Sequence, residues 1–197
     1  LCQTNTAEYE ICFTQNATQA IHQWGNLMPW NENAHFQYFI DNHNSILGIR
    51  ALSLKRGAKV SCEKSYPGKS DKEMRVFAFP MQSNFSGKKY PMSWIKQYQE
   101  EGGYVFLDAA AATAPDLSTF KPDFIGLSLL KLTGAHGGAL LVRRDRVAML
   151  GEPLPAGGTV QFSCSRSGIY KLLPELHKRI EAGTQSYVDM SLALAGL

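Results

Sequence analysis

Apolar and polar positions along this chain form short runs whose period switches repeatedly between that of a strand and that of a helix. Tyr9-Glu10-Ile11-Cys12-Phe13 is β-rich, polar Thr14-Gln15-Asn16 follow, and Ala17, Ala20, Ile21 and Trp24 then recur at helical spacing. This predicts a strand leading into a helix over 17–27. Residues 36–40 form a second candidate strand. The stretch 45–55 predicts a helix with Ile46, Ile49 and Leu52 on one face and Gly57 as its stop. Strands are expected over 58–62 and 75–79, separated by a polar loop over 63–73 with Pro67-Gly68 as a turn. A helix over 91–101 would carry Pro91 at its first position, where a missing N–H costs nothing, and end at Gly102-Gly103. Tyr104-Val105-Phe106-Leu107 is a continuous apolar run closed by Asp108, the pattern of a strand buried on both faces. Residues 123–127 and 139–143 add two strands, 152–158 is a Pro/Gly-rich loop, and the chain from about Tyr170 predicts two helices joined around Gly183. Such alternation predicts an α/β fold with a mostly parallel sheet flanked by helices.

Composition narrows the class. With 44% hydrophobic and 19% charged residues, the 197-residue chain has ordinary globular content, which excludes wholesale disorder. No apolar run approaches the roughly 20 residues that cross a bilayer, so no membrane partner is expected. The 20 basic residues against 17 acidic ones leave a net charge of +3, too small a surplus to point to nucleic acid. The cysteines, Cys2, Cys12, Cys62 and Cys164, are scattered without a C-x-x-C pair, so no metal site is expected. A chain this large does not need disulfide staples, and the expected location is cytoplasmic. The first residue is Leu, which is read as the start of a piece of a longer chain.

Ligands of open α/β sheets sit beyond the carboxyl ends of the strands. Four groups of residues fall there. Thr14 to Thr18 join a strand to a helix, whose first N–H groups and partial positive charge suit a phosphate, and Thr18 adds a hydroxyl. His43 lies at another strand-to-helix junction. Asp108 ends an apolar strand, where a carboxylate needs a cation or hydrogen-bond donors. Ser128-Leu129-Leu130-Lys131 follows the strand beginning at Asp123, and a lysine there can serve as a Schiff-base nucleophile. Taken singly, these are a helix cap, a loop histidine, an ion-paired acid and a surface lysine. Together they fit one cofactor, pyridoxal phosphate (PLP). The lysine would hold its aldehyde, the acid its pyridine nitrogen and the helix end its phosphate.

The segments FTQNATQAI (13–21), YFIDNHNSILGIR (38–50), FPMQSNFSGKKYPMSWI (79–95), VFLDAAAATAP (105–115), DFIGLSLLKLTG (123–134), GALLVRRD (138–145) and GTQSYVDMSLALAGL (183–197) occur in the order of a known family. The chain resembles the class V aminotransferase fold, and specifically the aminotransferase-like domain of molybdenum cofactor sulfurases. That resemblance implies phosphate binding by Ala17 and Thr18 with Ser128 as a further ligand. It implies a ring-stacking role for His43, contact of Asn84 with the phenolic oxygen, pairing of Asp108 with the pyridine nitrogen, and Lys131 as the catalytic, cofactor-bearing lysine. Gly158-Thr159 matches a segment that reaches a neighbouring subunit's cofactor, so Thr159 is counted as cofactor-binding and a homodimer is expected. Arg179 and Gly183-Thr184 match a later stretch of the family.

The resemblance further implies a PLP-binding large domain over 1–165 and a helical segment over 166–197 leading towards a small domain. Its activity would be a sulfurtransferase that takes sulfur from L-cysteine, leaves alanine, and sulfurates the molybdenum cofactor through a C-terminal domain beyond Leu197. The family's opening segment would precede Leu1, and the thiol that accepts the sulfur would also lie beyond Leu197. Cysteine desulfurases of this fold carry His before the lysine and Gln three residues after the Asp. Here those positions are Leu130 and Ala111, and the sulfurase subgroup lacks both features too. Two other readings remain open at this level: another PLP enzyme of the same fold, or a truncated module that binds partners without catalysis.

Overall fold

The computed structural model describes residues 8–112 and 115–196. Its body is a seven-stranded sheet in the order β1-β7-β6-β5-β4-β2-β3. The strands are β1 (Tyr9–Thr14), β2 (Ala34–Phe39), β3 (Lys59–Glu63), β4 (Met74–Pro80), β5 (Tyr104–Asp108), β6 (Phe124–Ser128) and β7 (Gly138–Arg143). Only β7 is reversed, pairing antiparallel with both β1 and β6, while the β6-β5-β4-β2-β3 ladder is parallel. The expected mostly parallel α/β architecture is therefore present.

The apolar runs explain the layering. Along β5 and β6 every side chain from Val105 to Leu107 and from Phe124 to Leu127 is buried, and the pleat sends alternate residues to opposite faces. Phe106 and Phe124 pack with Trp24 and Ile21 of α1 (Ala17–Leu27) and with Ile46 and Ile49 of α2 (Asn44–Lys55). Val105, Leu107 and Ile125 pack on the other face with Ile95 and Tyr98 of α3 (Ser93–Glu100). Trp24 is the hub of the first layer, its ring 4.1 Å from that of Phe106. The crossing of α1 over α2 is tight because Gly25 has no side chain: a Cβ there would lie 2.3 Å from Ile49 Cδ1.

Two expectations fail. The helix expected from Pro91 begins at Ser93; Pro91 instead heads the preceding turn, its carbonyl accepting from Trp94 N at 3.2 Å. Residues from Tyr170 do not begin a helix. Tyr170–Leu172 is a strand, β9, paired antiparallel with β8 (Val160–Ser163) in a separate hairpin that straddles residue 165. The β-branched and aromatic residues Val160, Phe162, Ile169 and Tyr170, with Gly168 at φ +69°, favour that turn-linked pairing over a helix. Two short helices do follow, α5 (Leu176–Ile180) and α6 (Tyr187–Ala195), with Gly183 between them. A one-turn helix, α4 (Leu129–Thr133), separates β6 from β7.

Candidate active site

The parallel strands β2, β4, β5 and β6, together with β1, end at the same edge of the sheet, and a cavity of about 240 Å³ opens beyond them. Its wall is built from residues separated by more than a hundred positions in the chain. Ala17, Thr18, His43, Asn84, Asp108, Ser128 and Lys131, all expected at the site, line it.

At one end stands the N-terminus of α1. Asn16 caps this helix, its Oδ1 accepting from Gln19 N at 2.9 Å, and its carbonyl accepts from Ala20 N. Those two bonds leave the N–H groups of Ala17 and Thr18 as the helix's free donors, and both residues face the cavity. The approach of the sheet beneath them depends on Gly138. A Cβ at Gly138 would lie 2.3 Å from Asn16 C and 2.6 Å from Ala17 N, both backbone atoms that cannot swing aside. Gly138→Ala therefore displaces this helix end. Its expected result is at least about tenfold weaker anion or cofactor binding at a stability cost of about 1–3 kcal/mol. Titration against Gly157→Ala checks this, because a Cβ at Gly157 meets nothing within 4 Å.

Asp108 lies at the end of β5, is almost fully buried, and accepts from Ala110 N at 3.0 Å through Oδ1. Burial pushes its carboxyl above the usual carboxylate range; the Ala110 N–H and the nearby Lys131 amine offset part of this. Among the described residues no donor is paired with Oδ2.

Lys131 projects from α4, which starts at the cap Ser128 (Oγ accepting from Lys131 N at 3.4 Å) and stops at Gly134 in a left-handed conformation. A helix of one turn keeps the lysine at the strand end instead of carrying it away. Its Nζ donates to Asn84 Oδ1 at 3.1 Å. Asn84 sits in the loop after β4, organised by buried Ser83, whose Oγ accepts from Phe85 N and Ser86 N. His43 caps α2 with Nδ1, which accepts from Ser45 N at 3.2 Å.

Thr159 is the exception. It lies in the loop before β8, outside the cavity, fully buried. Its hydroxyl donates to Ala156 O at 2.9 Å and accepts from Ala156 N at 2.8 Å, so within this chain it closes a turn and does not contact the site. Ala111 lines the cavity, whereas Leu130 is exposed and does not. Ser45 and Gln82 also line it and were not anticipated; Ser45 sits two residues after His43, the spacing of a capping turn, which is the signal that points to it. Among the described residues no cluster of His, Cys, Asp and Glu could hold a metal ion. Cys12 is buried, which pushes its thiol pKa up, and Cys62 and Cys164 are exposed away from the cavity.

A doubly covered, mostly parallel sheet with a helix N-terminus, a buried carboxylate and a lysine converging on its carboxyl edge defines a class, and the chain belongs to the aminotransferase class-V family, which it matches over residues 4–196. Membership in that family implies PLP as the cofactor. The donor set fits it: anion donors at one end of the cavity, an open carboxylate oxygen on a buried acid, and a primary amine on the same cavity wall.

The chain is 31% identical to molybdenum cofactor sulfurase of Solanum lycopersicum, with 93% of this chain and 29% of that protein covered. It is likewise 31% identical to the molybdenum cofactor sulfurase of Drosophila willistoni, over 98% of this chain and 30% of that protein. It thus spans about three tenths of the length of these relatives. Among solved structures, the apo cysteine desulfurase from Thermococcus onnurineus NA1 superposes with a TM-score of 0.76 at 24% identity, covering 95% of this chain and 50% of that one. The cysteine desulfurase CsdA from Escherichia coli gives 0.75 at 20% identity, covering 94% and 50%.

Proposed function

We propose that this chain is the PLP-binding part of a sulfurtransferase that mobilises sulfur from L-cysteine, releasing alanine, and delivers it to the molybdenum cofactor. The observation that carries the reading is the convergence of the α1 N-terminus, Asp108 and Lys131 on one cavity. Similarity to molybdenum cofactor sulfurases over more than nine tenths of the chain supports the choice of substrate and acceptor.

In this reading Ala17 N, Thr18 N and the hydroxyls of Thr18 and Ser128 hold the phosphate, and the helix dipole favours its charge. Asp108 would hold a proton on the pyridine nitrogen, His43 would stack on the ring, and Asn84 would contact the phenolic oxygen. The bound cofactor supplies an electron sink for negative charge developing on the substrate's Cα. Lys131 Nζ, the primary amine at the cavity wall, would be the group that carries the cofactor and would serve as the base that moves a proton at the substrate's Cα. The C–S bond of cysteine would break when a protein thiolate attacks the substrate sulfur. The S–S bond forms and the C–S electron pair stays on Cβ, which takes the proton given up by the substrate thiol to become the methyl group of alanine. The sulfur remains as a persulfide on the attacking thiol. The accepting thiol belongs to a part of the protein beyond Leu197, as does the domain that holds the molybdenum cofactor. Two copies would pair as a homodimer, with the seven-stranded sheet and its helices as the large domain; the β8–β9 hairpin crosses position 165, so the step towards a small domain is placed outside that hairpin and not at 165. The cysteines whose surroundings are described, Cys12, Cys62 and Cys164, are free thiols. Among the described residues no helix is long and apolar enough to cross a membrane.

Adding PLP to the purified chain is the direct test. A visible absorption band of lysine-bound PLP is expected, and Lys131→Ala should abolish it. A folded chain without the band overturns the PLP reading. A band accompanied by amino transfer, with no persulfide, sulfide or alanine from L-cysteine, overturns the sulfur-mobilising part and favours another enzyme of the fold.

A further inference from the structure

Thr18, on the phosphate-facing turn of α1, and His43, the cap of α2, are connected through one buried side chain, that of Ser45. Ser45 Oγ lies 2.9 Å from Thr18 Oγ1 and 2.9 Å from His43 Nδ1. The backbone N–H of Ser45 donates to the same Nδ1 at 3.2 Å.

The protons in this chain can be assigned by elimination. A backbone N–H is always a donor, so Nδ1 is an acceptor and the imidazole proton sits on Nε2. The proton between Ser45 Oγ and Nδ1 must then be the serine's own, sharing the nitrogen's single lone pair with the Ser45 N–H in a three-centre bond. Ser45 has only one, so the proton between the two hydroxyls belongs to Thr18. With every bond made, the order is Thr18 O–H to Ser45 Oγ, and Ser45 O–H to His43 Nδ1. This arrangement turns a lone pair of Thr18, and not its proton, towards the cavity.

An anion at the α1 N-terminus requires the opposite. For Thr18 to donate to it, the threonine hydroxyl must rotate, which would leave two oxygens 2.9 Å apart with no proton between them. The repair is for Ser45 to rotate as well and donate to Thr18. Nδ1 then keeps only the backbone N–H of Ser45, so the rotation leaves no buried acceptor empty.

We infer that Ser45 is a positioning residue whose hydroxyl switches partner, from His43 when the anion site is empty to Thr18 when it is filled, so that phosphate occupancy is reported to the imidazole. This rests on the reading of the α1 N-terminus as the phosphate site. It gives Ser45 a task distinct from contacting the cofactor: the histidine loses its hydroxyl donor only once the phosphate is seated.

The test uses the cofactor-free chain with 15N-labelled histidine and backbone, titrated with inorganic phosphate. The amides of Ala17 and Thr18 report binding, and the His43 Nδ1 resonance reports the switch. In the wild type, phosphate should move both, with Nδ1 going downfield as it loses a donor. In Ser45→Ala, Nδ1 should already lie downfield without phosphate and move far less on its addition, the remainder being the direct effect of the charge. Thr18→Val approaches from the other end: Ser45 stays on Nδ1 throughout, and the displacement is lost. Ser45→Thr, which retains a hydroxyl, should restore it. Responding amides with a stationary Nδ1 in the wild type, or an equal displacement in Ser45→Ala, overturn the switch and leave the phosphate site standing. Amides that never respond overturn the phosphate site and the switch with it.

Discussion

Replacing Asp108 with Asn should remove about 10²–10³ of the turnover expected of the loaded site while making the empty protein more stable, by about 2–4 °C in Tm. The two effects have one cause. Asp108 is buried at the end of β5, and desolvation raises its pKa, so its ionised form is the costly one in the folded state. A carboxyl whose folded pKa lies above its unfolded value gives a contribution that is fully present below the unfolded pKa. That contribution is lost as the pH rises through the folded pKa. Towards neutral pH the empty protein therefore bears a cost at Asp108, whether the buried group holds its charge or takes up a proton to avoid it. Asn keeps the acceptor for Ala110 N and removes the ionisable group and its cost, but it cannot hold a proton on a pyridine nitrogen. Melting curves of the cofactor-free wild type and variant, taken on either side of the carboxylate range, should diverge towards neutral pH and converge in acid. A less stable variant at neutral pH, or an active one, contradicts the assignment.

The largest stability loss is expected at a different acid. Asp123→Ala should cost about 3–5 kcal/mol, which for a chain of this size is a fall in Tm of roughly 10 °C. Asp123 is 0% exposed and joins three segments. Its Oδ1 meets Arg146 Nε at 2.7 Å and Arg143 Nη2 at 3.3 Å, while Oδ2 accepts from Val105 N and Gln99 Nε2, each at 2.9 Å. Alanine would leave two guanidinium groups without this partner and a buried β5 N–H with none. Asp145 pairs with the same arginines but its side chain is 57% exposed, so Asp145→Ala should cost less than about 1 kcal/mol. Denaturant melts of the two variants compare charge partners that differ chiefly in burial. Equal losses would show that burial is not what makes Asp123 matter.

The contrast between these acids also marks the reach of sequence reading. Asp108 and Asp123 both border apolar strand runs, and nothing local distinguishes an acid awaiting a ligand from one already satisfied by arginines. Asp108 became a candidate through its company: a polar junction before α1, a histidine before α2 and a lysine after β6, each at a strand end. The helix over 17–27 was readable because its apolar residues repeat cleanly and a cap precedes them. The β8–β9 hairpin was not, since strands of four and three residues in a polar stretch give too few repeats to establish a period.

What the chain determined by itself is the alternation of elements and the chemical types at their ends, because periodicity and capping act over a few residues. Tertiary structure decided which ends meet. Placing β7 between β1 and β6 brings Gly138 beneath the Asn16–Ala17 peptide, and the packing of α2 beside α1 sets Ser45 between Thr18 and His43. The same folding left Thr159 bonded within its own turn. Those relations span up to 122 positions, from Asn16 to Gly138. They depend on strand order and on how closely backbones approach, and no spacing rule along the chain encodes either.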